Sequence, residues 1–310
     1  MKETKAFFII KKYRSILRSA IIVETVSFIV SLTDGIIAGH KLGTEAFTAI
    51  GLIAPFLSIS TFLSSIVNTG TVMNYSYQVG KFNRHRADEF FSQGIITALL
   101  RGLFYSIGLL LLVPAIISTV SPQGEIRPLL DEYYDIMLAF FFLQPISYLL
   151  DNLLVADGGE QLSLVANVVM IVINVVGSLV LVDFWGIKGI AFASFLSRSL
   201  FILIICSHFF SKKSNLRFVR YWNITDIFMI FKGGIVKAST YGLEALLNYS
   251  INLFALRHFE ADTLVILVVI EKFMGLMTLF IGLSMACQPV ISTLQGEKKQ
   301  KGNGSLCLPY

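Results

Sequence analysis

In the stretch SLTDGIIAGHKLGTEAF, residues 31–47, one carboxylate, Asp34, stands five residues before Gly39 with apolar helix on both sides. A carboxylate so placed must reach water, pair with another group, or use its charge. Reaching water is open to Asp34, which lies about five positions from its helix end. If it faces a bundle interior instead, desolvation disfavours its charged form. It could then hold a proton near neutral pH, or bind Na⁺ with carbonyl and amide oxygens. Asn174, with two donors and a carbonyl acceptor, has suitable chemistry for a companion; a plain helix–helix hydrogen bond is its other reading. Glu24 precedes Asp34 by ten residues, about 80° away around a helix, so the two line neighbouring faces rather than one spot.

Other groups in apolar runs invite the same question, because a charge at mid-bilayer costs about 2.5–3.5 kcal/mol on the insertion scale. Arg198 lies midway along its run, where it suits a carboxylate or backbone carbonyls better than a cationic ligand. Glu244 occupies a later run. Glu271 and Lys272 are adjacent, so they point about 100° apart on a helix and do not simply neutralise each other. Arg101, Asp151 and Lys237 lie nearer the ends of their runs and are expected to reach water by snorkelling. Tyr75, Tyr134, Met170 and Met274, with Phe56, Tyr77 and Met277, could line a cavity for bulky amphipathic cations through dispersion and cation–π contact. They could equally be packing. Cys206, Cys287 and Cys307 lack metal or redox spacing. No G-x-x-x-x-G-K-[ST], His-Glu-x-x-His or serine-elbow motif occurs, so neither an ATPase nor a hydrolase is indicated, and no metal or cofactor is expected. His40 and His85 lie at loop ends and are expected to be solvated.

The elements that must hold these groups are helices. The chain has 310 residues, 55% hydrophobic and only 15% charged, against about 25% charged in a soluble domain. Eight runs are long enough to cross a bilayer as helices: about 19–40, 47–78, 92–118, 133–155, 162–183, 187–210, 234–256 and 263–294. They are continuously apolar rather than ten-residue alternations, which favours helices over a barrel. Alternate connections are basic. Lys2, Lys5, Lys11, Lys12, Arg14 and Arg18 lead the chain; Lys81, Arg84 and Arg86 follow the second run; Lys212, Lys213, Arg217 and Arg220 follow the sixth; Lys298, Lys299 and Lys301 end it. By the positive-inside rule both termini are expected in the cytoplasm. The net charge of +5 then reflects loops facing anionic lipid, and nothing suggests nucleic acid.

The stretch from Gly39 to Arg84 is echoed by that from Ala255 to Lys299, at an offset of about 216 residues. Both pass a short acidic loop, a long apolar helix, a closing glycine and a basic segment. Parallel repeats of this kind mark transporters built of two related bundles. The expected organisation is an amino-terminal arm (1–18), a six-helix bundle (19–210), a basic linker (211–232), a partial second bundle (233–296) and a polar tail (297–310).

TDGIIAGHKLGTEAFTAIGLIAPF (33–56) resembles the first-to-second-helix motif of the multidrug and toxic compound extrusion (MATE) family of the flippase-exporter superfamily. VGKFNRHRADEFFSQG (79–94), the stretch from Val155 to Arg198 with Asn174, GGIVKASTYGLEALLNYS (233–250) and ACQPVISTLQG (286–296) are similar to later parts of it, in order. The resemblance implies an all-α membrane protein, six helices plus the first two of a pseudo-symmetric second bundle. It implies export of organic, cationic or amphipathic compounds by H⁺ or Na⁺ antiport from a bacterial plasma membrane. It puts cation coupling on Asp34, Asn174 and Glu244; Ser178, at a family position, and Glu24, Arg198 and Glu271, as charges within apolar runs, are secondary candidates. There are departures. Ser19 and Val236 stand where family members usually have proline, Ser178 where an aspartate is common, and the second bundle has two helices instead of six. A lipid-linked oligosaccharide flippase, and a truncated non-transporting protein needing a partner chain, are the alternatives.

Overall fold

The computed structural model describes residues 33–120, 126–211, 214–258 and 290–298, with isolated positions before residue 33. Glu24, Glu271, Met274 and Met277 lie outside the described residues, and Glu244 is described only as backbone within a helix.

Every described element is helical. α1 covers 33–42, α2 Thr44–Gly80, α3 Arg84–Val120, α4 Ile126–Ala156, α5 Glu160–Trp185 and α6 Ile187–Cys206. A 3₁₀ turn, Ser207–Phe210, precedes an extended linker to α7, Ile224–His258, and α8 covers 290–298. Among the described residues five helices, α2 to α6, are long and apolar enough to cross a membrane. The helix expected from residue 234 begins ten residues earlier, at Ile224. There Asn223 accepts the Thr225 N–H on its side chain and the Ile227 N–H on its carbonyl, as a helix start requires.

Helix α5 shows why these sequences assemble in lipid. Its outward face carries Val165, Val168, Val172, Val176 and Val180, all exposed. Its inward face carries Ser163, Asn167, Met170, Asn174 and Ser178, all buried. Valines meet hydrocarbon at no cost, while the hydroxyls and amides need partners that only neighbouring helices offer.

The interior is layered. One apolar cluster joins Ile37, Ile53, Tyr133, Phe141 and Ile190. A second, toward the end with the basic connections, joins Tyr75, Phe91, Leu153, Met170 and Phe201. Between them the same helices supply polar residues: Ser60 and Ser64 from α2, Arg101 from α3, Gln144 and Ser147 from α4, Asn174 and Ser178 from α5, Ser194 and Ser197 from α6. A polar belt thus crosses the bundle between two dry cores.

At the basic end, α2 is crossed by α7 and α8 at backbone contact. A β-carbon on Gly70 would stand 1.8 Å from the Ile230 carbonyl oxygen, and one on Gly234 1.9 Å from that of Ile66. Likewise Gly80 faces the Thr293 oxygen at 2.1 Å and Gly296 the Tyr77 oxygen at 2.2 Å. The offset of 216 residues separates both Gly80 from Gly296 and Tyr77 from Thr293. The two contacts are therefore interchanged by the sequence echo, as in an isologous two-fold contact. Gly70→Val should lower stability by about 1–3 kcal/mol, because backbone rather than a flexible side chain must yield. Thermal unfolding in detergent checks this, and an unchanged midpoint would show that the crossing is not tight.

Candidate ion-coupling site

The turn between α5 and α6 is made by Gly186, at φ 56°. In such an antiparallel hairpin, residues equally far from the turn lie at the same depth. Ser178 and Ser194 are each eight residues from Gly186, about 12 Å along their helices, and they converge on one carboxylate. Ser178 Oγ donates to Asp34 Oδ1 at 3.1 Å and Ser194 Oγ to Asp34 Oδ2 at 3.1 Å. Asn174, one turn before Ser178 on α5, donates from Nδ2 to Ser194 Oγ at 2.9 Å. Its Oδ1 is buried without a hydrogen-bond partner. Tyr133 of α4 is buried in the apolar cluster that also takes in Ile37, three residues after Asp34. Farther out, Lys41 pairs with Asp183 at 2.9 Å; this exposed bridge aligns α1 with α5 but is worth only about 0–1 kcal/mol.

The donor set suits a carboxylate whose charge changes. A hydroxyl both donates and accepts, so Ser178 and Ser194 can rotate to serve either Asp34 as an anion or the protonated acid. The free Asn174 oxygen, two hydroxyl oxygens and the carboxylate would equally present oxygen ligands to a small hard cation.

Of the residues singled out in the sequence, Asp34, Asn174 and Ser178 come together here. Ser194 completes the group. A serine among SFLSRS carries no signal of its own, and only the hairpin geometry selects it. Tyr75, Tyr134 and Met170 are buried in the apolar cores and share no opening. A cavity of about 250 Å³ instead lies between α2 and α8, lined by Met73, Asn74, Tyr77, Ser292 and Gln295.

Arg101 does not reach water as expected. Snorkelling to the basic end would take it past about 25 Å of helix, whereas the belt offers acceptors beside it. Its guanidinium donates from Nη2 to the Ser60 carbonyl and to Ser60 Oγ, and stands over the Tyr105 ring at 4.8 Å. Asp151 also turns inward. It accepts from Ser163 Oγ at 2.5 Å and from Asn167 Nδ2 at 3.3 Å. Arg198 is enclosed by Phe140, Tyr148 and Phe201, with ring centroids 5.3–5.9 Å away.

The basic end is laced by a polar clasp that no single motif announced. Arg86 of α3 binds Asp226 of α7 and Glu89, each at 2.6 Å, and the Tyr221 hydroxyl at 2.7 Å. Three linker N–H groups dock on one face of α3: Arg217 on Asp88, Val219 on Ser92 Oγ and Asn223 on Gln93 Oε1. Asp157, at the end of α4, holds His208 at 3.0 Å and the Asn215 N–H at 2.9 Å. The linker is thereby fastened to the first bundle.

The MatE family model matches residues 20–180. The fold resembles that of a multidrug-resistance MATE-family transporter of the MOP superfamily in an outward-facing conformation (TM-score 0.82, 20% identity, 94% of this chain and 67% of that one). It also resembles a MOP-superfamily transporter from Pyrococcus furiosus, described as having a binding pocket of reverse polarity (TM-score 0.81, 21% identity, 93% and 65%). A MATE protein in a bent conformation aligns similarly (TM-score 0.79, 20% identity, 94% and 68%). The chain spans about two thirds of the length of these structures. No curated protein matches it.

Asp226 is only 2% exposed, so removing its partner leaves a buried charge, at a cost of about 3–5 kcal/mol. Arg86→Ala should therefore release the linker and accelerate its cleavage by protease in membranes. Unchanged cleavage would mean that the clasp does not hold it.

Proposed function

The chain belongs to the MatE family, and from that premise we propose that it carries the ion-coupling bundle of a secondary active exporter. In this reading an inward flow of H⁺ or Na⁺ drives outward movement of organic, cationic or amphipathic compounds. No enzymatic step is involved. The observation that carries the reading is the Asp34 carboxylate held within the polar belt by Ser178 and Ser194. Cation binding there changes the charge of α1 against α5 and α6. A ligand shifts a two-state element only through such a difference in interaction between the states. The second bundle, represented by α7 and α8, rocks against the first across the glycine crossings. The basic end is the cytoplasmic one in this reading, which places both termini inside.

Glu244 supplies an acid in the second bundle that would attract cationic substrate; this rests on the resemblance. Glu24 and Glu271 are secondary acids of the same kind. The cavity between α2 and α8, with its thioether, phenol and carboxamides, suits amphipathic molecules better than the buried Tyr75, Tyr134 or Met170 does. A lipid-linked anionic substrate is the second reading, favoured by one observation: Arg101 presents buried Nε and Nη1 groups without hydrogen-bond partners. Both readings concern the whole transporter, including what a longer or partner chain would add to the second bundle.

Asp34→Asn keeps the shape and removes the titrating charge. It should abolish coupled efflux of a fluorescent organic cation from everted vesicles while leaving membrane insertion intact, whereas Ser178→Ala should reduce efflux by about tenfold or less, the scale of one lost hydrogen bond. Undiminished export by Asp34→Asn would remove that residue from the mechanism.

A further inference from the structure

Asp151 is an acid inside the bundle that the coupling site does not use. It lies on α4, toward the basic end from the polar belt. Its two oxygens accept from Ser163 and Asn167 of α5, one turn apart on the same buried face that carries Asn174 and Ser178. From Ser163 to Ser178 that face is about 22 Å long. One acid therefore caps each end of the polar stripe of α5: Asp34 at Ser178, Asp151 at Ser163 and Asn167.

Helix α6 shortens the gap. Ser194 donates to Asp34. Arg198, one turn along and about 6 Å farther by helical rise, stands over the ring of Tyr148, which precedes Asp151 by three residues on α4. Ser197, buried between them, donates to the Ser194 carbonyl at 3.0 Å. Two buried polar atoms on this route lack protein partners: Asn174 Oδ1 and Arg198 Nε. Buried polar groups in a bundle are ordinarily satisfied by protein or by water. An orphaned acceptor on α5 and an orphaned donor on α6, both at helical depths between the two carboxylates, are groups that water could bridge.

We propose that Asp151 is a second protonatable site, the inner end of a proton route running from Asp34 along the α5–α6 interface. The proposal rests on the exporter reading and narrows its coupling ion to H⁺. A proton leaving the Asp34 acid is taken up by the Asp151 carboxylate and then released from it to water at the basic end. Each transfer moves one H⁺, leaves one carboxylate behind and forms one acid. Arg198 is clasped by its aromatic rings. Its fixed charge beside Asp151 opposes a metal cation there, which shares no oxygen cage with a guanidinium, but leaves a carboxylate free to alternate between two protonation states. Ser163 and Asn167 on α5 are uncharged. The next titratable pair toward the basic end is Asp157 with His208, Asp157 lying six residues on in the sequence, just past the end of α4.

The full chain, reconstituted in lipid, should be titrated by infrared difference spectroscopy, which reads protonation of individual carboxyl groups without requiring transport. Asp151→Asn should remove one carboxyl band, and Asp151→Glu should restore a shifted one, which separates loss of the site from loss of the fold. Because linked sites titrate as a pair, Asp34→Asn should move the Asp151 midpoint by about one pH unit or more. An Asp151 band absent throughout, or one indifferent to Asp34, overturns the proposal. In everted vesicles, Asp151→Asn should slow pH-driven uptake severalfold while leaving substrate–substrate exchange, which needs no net proton movement, near the wild-type rate. Equal loss of both would make Asp151 a structural or substrate contact and also overturn it. Linked bands in a chain that moves no organic cation would uphold the proton route and overturn the export reading alone.

Discussion

The whole arrangement depends on one carboxylate being held by hydroxyl groups between two apolar cores. An anion withdrawn from bulk water needs hydrogen-bond partners that apolar side chains do not offer. Ser178 and Ser194 compensate without fixing the charge, which an arginine partner would do. Hydroxyls adapt to either protonation state, whereas a salt bridge selects one. The two hydroxyls, one on each carboxylate oxygen, hold Asp34 in place and serve either of its protonation states.

That choice imposes requirements outward. Ser178 and Ser194 meet at one depth only because Gly186 turns the chain symmetrically between α5 and α6. Asp34 reaches them only because α1 lies along α5, aligned by Lys41 and Asp183 at its outer end. The polar belt in turn needs dry cores on both sides, since a stripe of serines and amides in lipid would otherwise unfold locally toward any available water. The glycine crossings at the basic end serve a different need. They let α2 approach α7 and α8 to backbone contact.

Much of this was legible in the sequence, for reasons that can be named. The helices declared themselves because a bilayer demands long apolar runs. Asp34 and Asn174 declared themselves because polar groups in such runs are expensive. The repeat offset, read from loops and closing glycines, returns in the reciprocal contact of Gly80 and Gly296. Ser194 could not be read, because serine in a membrane helix is cheap and common, and its meaning arises from what the hairpin sets opposite it. Arg101 and Asp151 were expected to reach water because their distance to a helix end was judged along the sequence. The folded bundle offered Ser60, Ser163 and Asn167 much closer, and the nearer partner prevails. The start of α7 at Ile224 was hidden by the polar linker, whose tenancy on α3 is set by Arg86, Ser92 and Gln93 rather than by any local signal.

The most direct test of the central claim is carbodiimide labelling of Asp34 in membranes, comparing an apolar reagent with a water-soluble, impermeant one. Carbodiimides attack the protonated acid, so a carboxyl kept among helices and able to carry a proton should react with the apolar reagent, be spared by the soluble one, and be labelled faster as the pH falls, or be protected by added Na⁺ if Na⁺ is the coupling ion. Rapid labelling of Asp34 by the soluble reagent from outside, indifferent to added cation, would contradict the account, because the carboxylate would then be an ordinary solvated group with no role in driving the bundle.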